Sequence, residues 1–372
     1  MNCIHIVKEM SINIKHLDEK KQQTDYKIKY IVEYVRLWLL VNVHRPNITD
    51  LNFVDCMCNA GIYQDGDLCT SMEILILFID AAKRHPDKRF NLFVNDKDKT
   101  RTELCSKIAE KLLFENNSSN LDVIVSSLDV NDYLEDYPSF DRYLGYGGAT
   151  VMFVDPYDFG TVIIKKLTSF IDRYYCEVIF NFFISDYVRN GIDTRIRNCV
   201  GDAEISNKEE LIEYIGCSLK VGKIQYVFSY QFRTSTNTEL YHIIFATPHI
   251  KGLEVLKEAL WKIFNGKFFH RNYDQNPQQM SLLTEDDDRE LLLDIHASAA
   301  RDLLQHNYAG QSVPYEKIER YLSEKTMMRT SDYLRTVLKP LIEKGYAIKQ
   351  GIPKNKSNYK NDSYTFIKGK HI

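Results

Sequence analysis

The residues best suited to chemistry lie in Val151-Met-Phe-Val-Asp155-Pro156-Tyr157-Asp158. An apolar run ends at a carboxylate, so a strand would deliver Asp155 to the edge of a sheet. Methylating an amino group needs acceptors for the amine hydrogens, so that the nitrogen lone pair can turn toward an electrophilic methyl carbon. The Asp155 side chain and the Pro156 carbonyl, held rigid by its ring, are two such acceptors. The Tyr157 ring offers a face on which a flipped base can stack. The same residues also suit an ordinary Asp-Pro turn with a half-buried tyrosine.

Three other stretches end in the same way. Phe53 to Gly66 (FVDCMCNAGIYQDG) stops a strand at Asp55 and turns through Ala60 and Gly61. Ligands of open α/β sheets sit outside the carboxyl ends of the strands. Small residues let the backbone pass close to such a ligand, and a following helix N-terminus favours a carboxylate or phosphate. The turn lacks the G-x-G-x-x-G spacing, and a plain strand-to-helix turn is the alternative. Phe93-Val-Asn-Asp96 places a second carboxylate 41 positions after Asp55, where it suits a ribose diol; the alternative is a solvated turn aspartate. Ser127-Leu-Asp129 follows a third apolar run. Asp129 suits an adenine amino group or, equally, the N-cap of the segment after it. Asn181-Phe-Phe183 ends a fifth run, either lining the same cleft or filling the core.

These positions need a scaffold, and the chain supplies a regular one. Helical apolar spacing marks Tyr26–Val43, Ser71–His85, Lys99–Glu115 and Thr161–Tyr174. Between them, Leu51–Val54, Phe90–Val94, Asp122–Ser126, Thr150–Val154 and Glu177–Phe183 read as short buried strands. Alternating strands and helices predict a mostly parallel sheet covered on both faces. Gly222–Phe232 and Leu240–Ala246 flank the turn-forming Arg233-Thr-Ser-Thr-Asn-Thr and predict a hairpin. A parallel sheet finished by an antiparallel hairpin is the class I methyltransferase variant of the doubly wound fold, whereas a nicotinamide-binding sheet normally continues in parallel.

The rest of the chain reads differently. Lys251–Phe264 is an amphipathic helix, and residues 265–284 (NGKFFHRNYDQNPQQMSLLT) read as a linker. Three helical patterns follow, Asp286–His306, Pro314–Glu324 and Ser331–Lys344, then Tyr346–Gln350 and Ser363–Ile367 around a Lys/Asn-rich loop. That is a winged-helix order. Residues 312–372 carry 13 Lys+Arg against 6 Asp+Glu, in a chain with an overall charge of -3. A local basic tail in an acidic chain fits nucleic-acid binding, with Arg329, Arg335, Lys354, Lys356 and Lys360 as the expected backbone contacts; solvated lysines on a protein-docking module are the alternative. The eight cysteines form no C-x-x-C pair, which suggests reduced thiols, no metal site and a cytoplasmic setting. The apolar stretches are broken by charges, so no membrane span is expected.

The order of several motifs resembles the three-Cys-motif partner protein family. They are Lys27…Tyr34…Trp38, Asp55…Ala60-Gly61-x-Tyr63…Asp65-Gly66, Asp155-Pro156-Tyr157, and Tyr241-His-Ile-Ile-Phe-Ala-Thr247…His249…Gly252-Leu-Glu-Val255. The resemblance runs over roughly residues 25–265. It implies a methyltransferase-like Rossmann fold and a partner with three clustered cysteines that looks like a radical-S-adenosylmethionine enzyme. With it, Lys27, Ala60 and Tyr63 join Asp55, Gly61, Asp96 and Asp129 as expected binders of S-adenosylmethionine. The chain departs from the family where Tyr63 stands in place of a second glycine and where Tyr157-Asp158 precede Phe159-Gly160.

The combined expectation is an N-terminal arm (1–24), a methyltransferase-like α/β domain (25–264), a linker (265–284) and a winged helix (285–372). The expected activity is S-adenosylmethionine-dependent methylation of a nucleic-acid base amine. The alternative is a non-catalytic adaptor that keeps only the fold.

Overall fold

The computed structural model describes residues 17–116, 119–145, 147–190, 193–272, 285–351 and 362–368. Two compact units emerge: Met1–His249 with Phe269–Asp274, and Ile250–Phe268 with Gln275–Ile372.

The first unit is built on eight strands: β1 (Asp50–Asp55), β2 (Arg89–Asn95), β3 (Leu121–Ser126), β4 (Gly148–Val154), β5 (Glu177–Phe182), β6 (Tyr226–Arg233), β7 (Glu239–Thr247) and β8 (Phe269–Arg271). They lie in the order β3-β2-β1-β4-β5-β7-β6-β8. β1 to β5 run parallel, and β7 is antiparallel to both β5 and β6. This is the class I methyltransferase-like sheet that the terminal hairpin predicts. Every residue of β1 is buried, as expected for a strand covered on both faces.

Helices α1 (Gln22–Asn42), α2 (Thr70–Arg84), α3 (Lys99–Asn116) and α4 (Ile164–Tyr174) provide the cover. α4 buries Ile164, Leu167, Phe170 and Ile171 at helical spacing and leaves its charged face outside. Burying each such side chain stabilises the fold by about 1.5–3 kcal/mol relative to exposure. The strand order reverses between β1 and β4, so the loops leaving their carboxyl ends diverge. A crevice opens there, and Asp55 and Asp155 stand at its two sides.

Three details differ from the expectation. α1 starts at Gln22 rather than Tyr26, which shortens the arm; residues 1–16 lie outside the described residues. Three helices fill the stretch after β5 to which no element was given: α5 (Ile184–Asn190), α6 (Asp193–Val200) and α7 (Lys208–Ser218). The expected linker is partly structured, because β8 pairs in parallel with β6, Gln231 opposite Phe269. Packing explains it: the Arg233 guanidinium lies over the Phe269 ring at 4.1 Å, and His270 is buried with Tyr26 against it at 4.3 Å.

The second unit contains α8 (Ile250–Phe264), α9 (Glu285–Tyr308), β9 (Ser312–Pro314), α10 (Tyr315–Lys325), a helical stretch from Thr330 to Glu343 that widens at Tyr333–Leu338, β10 (Ala347–Gln350) and β11 (Ser363–Phe366). Its three strands are antiparallel, in the order β10-β11-β9. Ala300, Leu304, Ile318, Leu322, Tyr333, Val337 and Phe366 form its core. Inside this unit the buried Lys257 donates to the Met328 carbonyl at 2.8 Å, and Trp261 Nε1 donates to the Met327 carbonyl at 2.8 Å. Burial pushes the Lys257 ammonium down to about 7.

Candidate functional site

A cleft of about 670 Å³ opens at the carboxyl edge of the parallel strands. Asp55, Tyr63, Lys27, Asp155, Pro156 and Tyr157 all line it. The sequence separates these residues by up to 130 positions (157 − 27), and the sheet brings them to one place.

Asp155 leaves the end of β4 into this cleft. One carboxylate oxygen accepts from Lys27 Nζ of α1, and the other accepts from Asn181 Nδ2 at the end of β5. Lys27 is buried, so its charge needs a partner, and Asp155 supplies it. Pro156 is buried behind the aspartate, while Tyr157 is about half exposed and faces the opening. The Tyr157 hydroxyl accepts from Arg101, whose guanidinium also sits 5.7 Å from the ring centre. A carboxylate, a fixed carbonyl and an available ring thus meet beside one lysine.

Asp55 has a different setting. It is buried; one oxygen accepts from the Met57 N–H at 3.1 Å and the other from the Ser71 hydroxyl. Burial pushes its carboxyl up to about 7, against the opposing pull of these two donors. One oxygen therefore closes the β1 turn on itself, and the other fastens that turn to the start of α2.

Gly61 is left-handed, with φ of 86°, as only glycine readily allows. Its close approach is to protein, not to ligand space. An added Cβ would lie 3.2 Å from both Cys105 Cα and Ile108 Cδ1 of α3. This corrects the reason expected for a small residue at that point. Ala60 is buried beside it, and its N–H is held by Asn59 Oδ1 at 2.6 Å. Tyr63 lies half-buried on the cleft wall, where its N–H donates to the Asp67 carbonyl at 2.9 Å.

Asp96 is buried, and one of its oxygens has no hydrogen-bond partner among the described residues; Arg101 approaches it at 3.9 Å. Asp129 is exposed and caps a short helix at Val130–Tyr133 by accepting from the Asn131 N–H at 2.9 Å. Among the described residues it does not line the cleft, so the capping alternative describes it.

Several residues that organise the site were missed. Asn95 accepts from the Leu128 N–H at 3.0 Å and donates to the carbonyls of Cys56 and Leu128, both at 3.0 Å, while its own carbonyl takes the Cys58 N–H at 2.7 Å. It ties together the loops after β1, β2 and β3. Its place one residue before Asp96 was the available signal. Asp18, in the expected arm, accepts from Asn59 at 2.9 Å and from Arg101 at 3.3 Å, and it also lines the cleft. Nothing in the polar arm sequence marks that contact.

Asp96 is buried 3.9 Å from Arg101 and, among the described residues, is not on the wall of the cleft that a nucleoside would enter. The size of the cleft fits a ligand of that class, since small-molecule sites typically occupy roughly 300–1,000 Å³. Six of the cysteines are buried and free, and Cys217 is exposed and free. Among the described residues no cluster of His, Cys, Asp and Glu could hold a metal ion, and no helix is long and apolar enough to cross a membrane.

The expected nucleic-acid contacts belong to the second unit. Arg329 is half-buried and pairs with Asp332 at 3.5 Å, and Arg335 is exposed. Lys354, Lys356 and Lys360 lie outside the described residues.

No protein-family model matches the chain, and no curated protein matches it. The resemblance to the three-Cys-motif partner family is therefore not carried by a model match. Among solved structures, the chain is similar to protein LPL1258 from Legionella pneumophila, at 12% identity over 64% of this chain and 91% of that one, with a TM-score of 0.37. It is also similar to the methyltransferase domain of bacterial CtHen1, at 11% identity over 58% and 99%, TM-score 0.32. A third likeness is to spermidine synthase from Thermotoga maritima, at 11% identity over 65% and 67%, TM-score 0.32. At TM-scores this low the likenesses carry no argument, and fold and chemistry are read from the chain itself.

Proposed function

We propose that this protein is an S-adenosylmethionine-dependent methyltransferase acting on a nucleic-acid base amine. The observation that carries the reading is Asp155: a strand-end carboxylate, backed by Pro156 and flanked by Tyr157, in the cleft at the reversal of strand order. The cofactor supplies an electrophilic methyl group when bound. Tyr63 lines the cleft where it would sit, Asp55 fixes the turn beside it through its two hydrogen bonds, and Asp96 is buried close to Arg101. Asp155 and the Pro156 carbonyl accept the amine hydrogens and so turn the nitrogen lone pair outward. Lys27 and Asn181 fix the Asp155 carboxylate for that task and balance its charge. The Tyr157 ring supports the base, and the proton released by the amine leaves through Asp155.

The backbone contacts of this reading belong to the second unit, whose helix and strand order supports a winged helix, with Arg329 just before its Thr330–Glu343 helical stretch and Arg335 on it. A three-cysteine partner protein remains part of the proposal through the resemblance alone. The adaptor alternative has one observation in its favour: Asp18 of the chain's own arm reaches Asn59 and Arg101 at the cleft wall.

Two measurements decide between them. Calorimetry should detect S-adenosylmethionine binding to the full chain, and its absence rules out the enzyme. Labelled methyl groups should pass to DNA or RNA, and Asp155→Asn should reduce that transfer by roughly 100-fold or more. Cofactor binding without transfer to either polymer favours the adaptor.

A further inference from the structure

A second pocket, of about 410 Å³, adjoins the cleft in the first unit and shares Ser185, Arg189 and Leu240 with it. Its other walls are Val188 of α5, Lys208 of α7, and the β6–β7 hairpin from Arg233 to Glu239. The proposed mechanism uses none of these residues.

Three cations face this pocket, Arg189, Lys208 and Arg233, against one carboxylate, Glu239. Lys208 is matched by Glu239 at 2.8 Å, which leaves two guanidinium groups. Among the described residues neither has a carboxylate within ion-pair distance: Arg189 donates to the Ser185 carbonyl at 3.1 Å, and Arg233 donates to Gln231 Oε1 at 2.5 Å and Asn237 Oδ1 at 3.2 Å. The Arg233 guanidinium also lies 4.1 Å from the centre of the Phe269 ring. A guanidinium fixed by neutral acceptors keeps its charge and its fork available to an anion.

The surrounding hairpin is equally fixed. Thr234 donates its N–H to the Thr238 carbonyl at 2.8 Å, Asn237 is left-handed with φ of 68°, and Arg271 Nε donates to the Ser235 carbonyl at 2.7 Å. At the junction of pocket and cleft, the Ser185 hydroxyl oxygen is buried and without a hydrogen-bond partner among the described residues. An unpaired buried hydroxyl costs free energy unless something else satisfies it.

We propose that this pocket binds a backbone phosphate of the acceptor strand, next to the base presented to Asp155. The inference rests on the methyltransferase reading for what lies in the adjoining cleft, but not for its own chemistry. Arg189 and Arg233 take the phosphate oxygens, and the Ser185 hydroxyl and the Thr234 and Thr238 hydroxyls surround them. Position also argues for a strand rather than a free anion, because the pocket is continuous with the cleft and open beside it.

The test is the salt dependence of binding of a fluorescein-labelled single-stranded oligonucleotide to the full chain. Each phosphate contact contributes about 0.7 to the slope of log affinity against log salt for single strands. Arg189→Gln with Arg233→Gln should flatten that slope by about 0.7, the contribution of the one phosphate, and Arg189→Gln alone, at an exposed position, by part of that. Lys107→Gln, on the exposed side of α3, is the control and should change the slope less. A slope unchanged in the Arg189 variant overturns the proposal, as does a wild-type chain that binds no oligonucleotide at low salt. If the variants lose binding of a labelled polyglutamate peptide while oligonucleotide binding is unchanged, the pocket serves an acidic protein and the proposal falls. The two readings fail separately: a flattened slope without S-adenosylmethionine binding keeps the phosphate site and removes the enzyme, while methyl transfer with an unchanged slope does the reverse.

Discussion

Asp55 and Asp155 end neighbouring parallel strands and face one cleft, yet they are built for different work. Asp55 is buried, its two oxygens accept from the Met57 N–H and the Ser71 hydroxyl, and its carboxyl is pushed up to about 7. Asp155 is more open, faces Lys27 and Asn181, and stands beside a buried proline and an exposed tyrosine. The first carboxylate is buried in the chain's own turn, while the second keeps part of its surface open to the cleft. A strand-end position therefore selects candidates, and the surrounding donors decide which of them meets a ligand.

This contrast can be tested from both sides. The largest stability effect should come from Asp55→Ala, which strands the Ser71 hydroxyl and the Met57 N–H. A loss of about 2 kcal/mol in urea unfolding is expected. A loss no greater than that of Asp155→Asn would erase the distinction. Next is the response to pH. A carboxyl raised in the folded state binds more protons there than in the unfolded chain between pH 4 and pH 7, so its contribution to stability falls as pH rises through that window. Glu177, also raised to about 7 by burial, acts in the same direction. Asp55→Asn should therefore flatten, without abolishing, the decline in melting temperature between pH 4 and pH 7; an unchanged profile would contradict the buried setting of Asp55. The smallest effect belongs to Asp129→Ala, with about 1 kcal/mol lost with the helix cap and cofactor affinity untouched. A clear drop in cofactor affinity would return Asp129 to the binding site.

Most of the scaffold could be read from the chain because its signals are local and long. Phe90–Val94 and Thr150–Val154 are apolar runs of strand length, and Ile164, Leu167, Phe170 and Ile171 repeat at helical spacing. The carboxylates at strand ends followed directly. What escaped depends on distance in the fold. The Asn181–Asp155 contact exists because β5 lies beside β4, and the contact of Gly61 with Cys105 needs α3 in place. β8 is three residues long, too short for any periodicity to mark. Asp129 shows another limit: an N-cap and a ligand-binding aspartate have the same local sequence, and only its exposed position beside Asn131 separates them.

Asn95 has a consequence for binding. Through it the loops after β1, β2 and β3 share hydrogen bonds, so none can shift without disturbing the others. That side of the cleft is one rigid jaw, already ordered before anything arrives. A ligand held there loses little affinity to ordering loops, and more of the conformational entropy that binding can remove lies with the half-exposed Tyr157 after β4.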